Sequence, residues 1–132
     1  MKIKRLTLAL ALGLGLTLGL MLALSIVEGW LPVVRAASFT VDTTTDENDG
    51  SCSDGDCSLR DAIILANRNG EPDTITLGSG TYSLTVTGTG EDGCATGDLD
   101  ITDTLTIIGA GPGQTVIDGN SIDRVFHIHS TT

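Results

Sequence analysis

Cys57-Ser58-Leu59-Arg60-Asp61-Ala62-Ile63 is the stretch on which the fold turns, because the hydrophobic pattern changes period on either side of it. Leu59, Ala62, Ile63 and Ala66 fall at i, i+3, i+4 and i+7, so a single apolar stripe runs along a helix spanning 58–69. Both ends of that helix carry their own signals. Ser58 is an N-cap residue able to satisfy free N–H groups, and Asp61, three positions on, stands where a capping box has its acid. Asn69-Gly70 supplies residues that accept the left-handed conformation at a helix C-terminus. Arg60 has no role in this local scheme.

Beyond the helix the period falls to two. Short apolar runs at 74–77, 82–86, 99–102, 105–108, 116–118 and 125–128 are separated by Gly, Asp, Asn and Thr. Upstream, 38–43 is a further strand, with Phe39 and Val41 on one face. Aromatic residues make up only 3% of the chain, so the core must come from Ile, Leu and Val, which suits stacked strands. No Asn-Gly or Asp-Gly pair closes a two-residue hairpin between long alternating runs, and Asp118-Gly119-Asn120 opens a wider corner. The expectation is a mainly β fold: the start of a right-handed parallel β-helix of about two coils, capped at its N-terminal end by one amphipathic α-helix.

The N-terminus sets the compartment. Lys2, Lys4 and Arg5 precede an uncharged stretch, 6–27, rich in Leu, Ala and Gly, and Val34-Arg35-Ala36 presents small or β-branched residues where a signal peptidase reads. Residues 1–36 therefore read as a signal peptide cleaved after Ala36. An anchor retained through 6–27 is the competing reading, since that run is long enough to span a bilayer, and it is the expected route to a membrane. In either case the remainder is secreted or held at the cell surface, because the leading basic residues favour the cytoplasmic side. Residues 37–132 then hold three basic and sixteen acidic residues. Such acidity argues against nucleic acid as a partner and leaves a solvated surface that can collect divalent cations.

Disulfides persist in an exported domain. Cys52 and Cys57 flank the short loop 53–56 and are the first choice among three pairings, which leaves Cys94 over. A zinc site built on these cysteines is disfavoured, as no His or fourth Cys lies close in sequence. The loop Asp46-Glu47-Asn48-Asp49-Gly50 fails the EF-hand register, with Cys57 where the bidentate Glu belongs. Irregular calcium binding by Asp46, Asp49, Asp54 and Asp56 is one reading of this region, and a plain acidic turn is the other.

Further along, Asp98 and Asp100 alternate with Leu99 and Ile101 and share one strand face, as a chelating pair or a solvated surface. His127 and His129 flank Ile128 and share a face, a spacing that seats a metal, but no third ligand follows them. Gly109-Ala110-Gly111-Pro112-Gly113 looks like a dinucleotide loop, yet Gln114 takes the last Gly position and a strand follows, so it reads as a corner. Arg124 is most simply a salt-bridge partner of Asp123 or Asp118.

These blocks carry a family resemblance as a set. Cys57 through Ile63 with Ala66-Asn67, then Asp73-Thr74-Ile75-Thr76-Leu77, Gly80-Thr81-Tyr82-Ser83-Leu84, Gly97-Asp98-Leu99-Asp100-Ile101, Leu105-Thr106-Ile107-Ile108-Gly109-Ala110-Gly111 and Asp123-Arg124-Val125-Phe126 resemble the start of the CSLREA-domain proteins. These are secreted bacterial proteins in which this region leads into a pectin-lyase-like right-handed β-helix. The resemblance covers residues 38–130, and Asp61 departs from it by standing where the family name has Glu. It implies a cap at 37–70 and the first β-helix coils at 71–132. Since such proteins normally run through many more coils, a stop at Thr132 reads as a truncation.

The fold so implied raises polysaccharide lyases and glycosidases, for which Asp98, Asp100, Asp118, Asp123 and Arg124 are the raw material. They form no complete catalytic constellation. Fold alone carries no activity across. The expectation is a non-enzymatic cap and β-helix-initiating segment of an exported cell-surface or adhesion-type protein. Its expected partner is surface carbohydrate or another β-helix segment, and no cofactor beyond calcium is called for. The alternative is a fragment of a carbohydrate-active β-helix enzyme. Intact-mass analysis of exported material is expected to find Ala37 at the N-terminus; a chain starting at Met1 in the membrane fraction would establish the anchor instead.

Overall fold

Residues 35–129 are described by a computed structural model. They run β1 (Ser38–Val41), α1 (Leu59–Ala66), β2 (Asp73–Leu77), β3 (Gly80–Ser83), β4 (Leu99–Ile101), β5 (Leu105–Ile108), β6 (Thr115–Asp118) and β7 (Phe126–Ile128). All pairings among these strands are parallel, with β1-β2-β5 in one sheet, β3-β6 in a second and β4-β7 in a third. Each of β2, β3 and β4 thus pairs with the strand three places later. The described chain is mainly β, in small parallel sheets with one helix.

Register stacks like on like. Phe39 faces Ile75, which faces Ile107; Val41 faces Leu77, Tyr82 faces Ile117, and Leu99 faces Phe126. Because successive side chains point to opposite sides of a strand, the period-two sequence delivers these residues to one interior. Val41, Ile75, Leu77, Tyr82, Leu84 and Leu99 form the core with Leu59, Ala62 and Ile63 of α1, and Leu105, Ile107, Ile117 and Phe126 pack partly buried against it. Burial is graded across the layers. Ile75 is fully covered, its inward neighbour Ile107 is only partly buried and Ile128 on β7 is 73% exposed, while Ile108 and Val116 continue the outward rows of Thr76 and Thr81. Among the described residues those strands, β5, β6 and β7, each have a single partner.

The helix forms where its stripe and cap require. Ser58 is the N-cap, in extended conformation, and its Oγ accepts the Asp61 N–H at 3.0 Å. Leu59, Ala62, Ile63 and Ala66 are all buried, against β1, β2 and β4. α1 stops at Ala66, short of the expected 69. Asn67 is the C-cap, and its side-chain amide is drawn off the helix: Nδ2 donates to the Asp100 carbonyl at 2.8 Å and Oδ1 accepts the Thr102 N–H at 3.0 Å. Gly70, at φ +73°, supplies the left-handed residue that turns the chain toward β2.

β3 lies earlier than the expected 82–86. The Thr85 and Val86 N–H groups are taken by Asp46 Oδ2, at 2.6 and 2.9 Å, so the chain leaves the ladder after Leu84. Gly109 through Gly113 is the corner between β5 and β6, closed by Thr115 Oγ1, which accepts the Ala110 N–H and donates to the Gly78 carbonyl. The expected signal peptide, 1–36, lies outside the described residues except for Arg35 and Ala36. Among the described residues no helix is long and apolar enough to cross a membrane.

Ile63 has no solvent exposure and sits at the centre of the α1 stripe. Ile63→Ala is expected to cost about 2–5 kcal/mol, read as a lower urea midpoint at unchanged m-value. A loss below about 1 kcal/mol would mean that this face does not carry the packing.

Candidate functional site

Arg60, the residue of the opening motif without a local role, is 1% exposed and lies at the centre of a buried network. Its Nε donates to Asp46 Oδ1 at 2.7 Å and its Nη2 to Asp46 Oδ2 at 3.1 Å, a two-pronged ion pair. Nη2 also donates to the Gly97 carbonyl at 2.8 Å, and Nη1 to the carbonyls of Cys94 and Asp98 at 3.1 and 3.3 Å. A guanidinium has five N–H donors, and all five are used here. The close approach of 97 requires glycine: a Cβ there would sit 2.4 Å from the Gly88 carbonyl oxygen, at φ +66°. Burial by itself would raise the Asp46 carboxyl; the hydrogen bonds from Arg60, Val86 and Thr85 outweigh it and hold the pKa below the ordinary aspartate value.

The rest of the motif ties the same region together. Ser58 has one hydroxyl proton and two acceptors in reach, Asp61 Oδ2 at 2.6 Å and the Glu47 carbonyl at 3.1 Å; the nearer, charged oxygen is the stronger acceptor. The other Asp61 oxygen accepts the Gly50 N–H at 2.8 Å. Asp61 therefore fastens the acidic loop to the helix start, where a simple capping box would have reached back to the Ser58 N–H. Cys52 and Cys57 are joined in a disulfide, as the spacing suggested, with Cα atoms 4.2 Å apart. In the chain-entropy account so short a loop contributes about 2 kcal/mol. Cys94 is buried and reduced, and burial pushes its thiol up to about 11, so it stays protonated at neutral pH.

The four acids named for calcium do not gather into one group. Asp46 is turned inward to Arg60, with its side chain 4% exposed. Asp49 and Asp56 lie with Glu47 in a group of facing carboxylates on the loop. Burial and the charges of Asp56, Asp49, Asp61 and Asp54 push the Glu47 carboxyl above its ordinary value. A hydrogen bond and charge from Asp54 do the same to Asp56.

A second constellation forms between β4 and β7. Register sets Asp100 beside His127, and the carboxylate lies between two imidazoles: Oδ1 is 3.1 Å from His127 Nδ1 and 3.0 Å from His129 Nε2. The other oxygen accepts the Cys94 N–H at 2.9 Å. Asp92 Oδ1 closes the group from the preceding loop, 3.7 Å from His127 Nδ1 and 4.0 Å from His129 Nε2. Burial would raise the Asp100 carboxyl, and the bonds from His129, the Cys94 N–H and His127 bring it below its ordinary value.

Two expectations change here. Asp98 and Asp100 do share a side of the strand, but it is covered: they are 2% and 0% exposed, under the 88–97 loop and the side chains of β7. Arg124 pairs with Asp98 rather than with Asp123 or Asp118, through Nε and Asp98 Oδ2. A third donor group, absent after His129, comes from upstream in Asp100, placed by parallel pairing. The two alternations, Asp98/Asp100 and His127/His129, were each visible; their juxtaposition was not.

A shallow depression is lined by Thr44, Thr45, Asp46, Leu59, Tyr82, Ser83 and Leu84. No protein-family model, curated protein or solved structure matches the chain.

Replacing Arg60 by Met leaves the buried Asp46 without its countercharge and three carbonyls without their donor, and a loss of about 3–5 kcal/mol is expected. The pH dependence has a definite sign. With a folded pKa below the unfolded one, Asp46 contributes stability that is fully present above about pH 4 and is lost as pH falls through the folded value. Acid titration of the melting temperature is expected to show that loss in the native protein and to show it reduced in Asp46→Asn, already less stable at pH 7. Parallel acid profiles for the two proteins would count against the role of the pair.

Proposed function

We propose that residues 37–132 are the N-terminal cap and initiating coils of a right-handed parallel β-helix in an exported cell-surface or adhesion-type protein, akin to the CSLREA-domain proteins. The observation that carries this is the complete internal use of the opening motif. Ser58, Arg60 and Asp61 are buried with their polar atoms bonded inside the chain, and Leu59, Ala62 and Ile63 lie on the strands. A motif spent on its own fold serves architecture. Parallel pairing of β2, β3 and β4 each with the third strand onward supports a solenoid, and parallel crossovers are right-handed in about 98% of cases. In this reading 37–70 covers one end of the stack, and β5, β6 and β7, with one strand partner each among the described residues and partly covered inner side chains, offer a layer against which a further coil could be laid.

A second reading, a fragment of a carbohydrate-active β-helix enzyme, draws on one observation: Asp98, Asp100, Arg124 and both histidines converge on one edge of the β4-β7 sheet. Incubation with polygalacturonate, with and without Ca²⁺, separates the two. No unsaturated product is expected. Its appearance, and its loss in Arg124→Ala, would overturn the architectural reading.

A further inference from the structure

We propose that His127, His129 and Asp100, with Asp92 as a fourth ligand, bind a divalent metal of the zinc class that staples β7 to β4. The separations of the donor atoms bracket those of a tetrahedral site. Metal–ligand bonds of about 2.0–2.2 Å place the ligand atoms of a tetrahedron about 3.3–3.6 Å apart. Here Asp100 Oδ1 stands 3.1 and 3.0 Å from the two imidazole nitrogens, Asp92 Oδ1 stands 3.7 and 4.0 Å from them, and all four atoms lie within 4.8 Å of one another. The anchor is rigid, since Asp100 is fully buried and its second oxygen is fixed by the Cys94 N–H.

The surrounding contacts leave His127 Nδ1 ready to coordinate. Arg124 Nη2, 3.1 Å from that nitrogen, can only donate, so Nδ1 presents its lone pair, the form in which an imidazole binds a metal. Asp100 Oδ1 accepts from His129 Nε2 at 3.0 Å, a bond that an ion between them would replace. Arg124, half exposed and held through Nε on Asp98, is free to release Nη2 to solvent.

Donor chemistry selects the ion. Two imidazoles with one or two carboxylates suit zinc and its neighbours, whereas calcium takes six to eight oxygens and no nitrogen. With Asp92 74% exposed, the fourth position is the one open to exchange. The consequence is mechanical. Asp100 belongs to β4 and both histidines to the segment at β7, so the ion cross-links two paired strands. It does so whether or not the solenoid reading holds.

The test uses the full chain, stripped with chelator and titrated with Zn²⁺ alone. One ion per chain is expected, with a higher melting temperature on binding. Co²⁺ in place of Zn²⁺ is expected to give the intense visible bands of a four-coordinate site. His127→Ala and His129→Ala should each weaken binding by more than the ~10–100-fold seen when a residue merely supporting a ligand is lost. Changing the loop acids, Glu47→Gln with Asp49→Asn and Asp56→Asn, should leave it unchanged. The chain holds only two histidines, so imidazole ¹⁵N spectra of the unmutated protein test the site even where a variant misfolds. Zn²⁺ must shift His127 Nδ1 and His129 Nε2. Binding that leaves both nitrogens unmoved, that is abolished by the loop-acid changes, or that does not reach one ion per chain would overturn the proposal.

Discussion

A guanidinium removed from water must find both a countercharge and an acceptor for every N–H, and at Arg60 these come from two separate stretches of the chain. Asp46 supplies the charge from the loop before the helix, and the carbonyls of Cys94, Gly97 and Asp98 supply the acceptors from the segment that feeds β4. The same Asp46 carboxylate also takes the two N–H groups that leave the ladder after β3. One ion pair therefore fixes the start of α1, the exit of β3 and the entry of β4. Through β4 it sets the position of Asp100, and through Asp100 the side chains of β7.

Such a pair does not hold the fold by its Coulomb energy alone, because desolvating both charges cancels much of the attraction. Its effect is to make alternatives expensive: any register that strands Arg60 leaves a buried charge and several carbonyls unanswered. The other buried acids follow the same rule. Asp61 is bonded by Ser58 and Gly50, Asp73 by Asn69 and the Ala37 N–H, Asp98 by Arg124, and Asp100 by Cys94 and the histidines. The acidity that reads as a solvated surface is thus divided, with part of it serving as fixed acceptors inside. No buried side-chain nitrogen or oxygen among the described residues lacks a partner.

The apolar part of the structure is lopsided by comparison. Next to α1 the strands are sealed, with Ile75, Leu77 and Leu99 almost without exposure, while the layer of β5, β6 and β7 keeps its inner side chains only partly covered. An aliphatic core with few aromatic residues gains its stability from the area its strands bury, so strands whose inner side chains are only partly covered contribute less. Contacts that join β7 to β4 matter most at that margin, and there the packing is thinnest and the polar groups densest.

Much of this was legible in the chain itself. The stripe Leu59, Ala62, Ile63, Ala66 announced a helix with one buried face, Ser58 its start, Cys52 and Cys57 their bond, and the period-two runs the strands; all are encoded by spacings of a few residues and need no partner to be read. Tertiary structure alone decided what Arg60, Asp46, Asp98 and Asp100 do. Parallel strands meet across long connections, and nothing in the local spacing of β4 or β7 states that Asp100 pairs with His127. For the same reason Asp98 and Asp100, which alternate like a solvated face, are buried, and β3 ends where a carboxylate from a distant loop takes its N–H groups. Local periodicity determines which elements form. Register, set by burying those elements together with every polar group satisfied, determines which side chains meet.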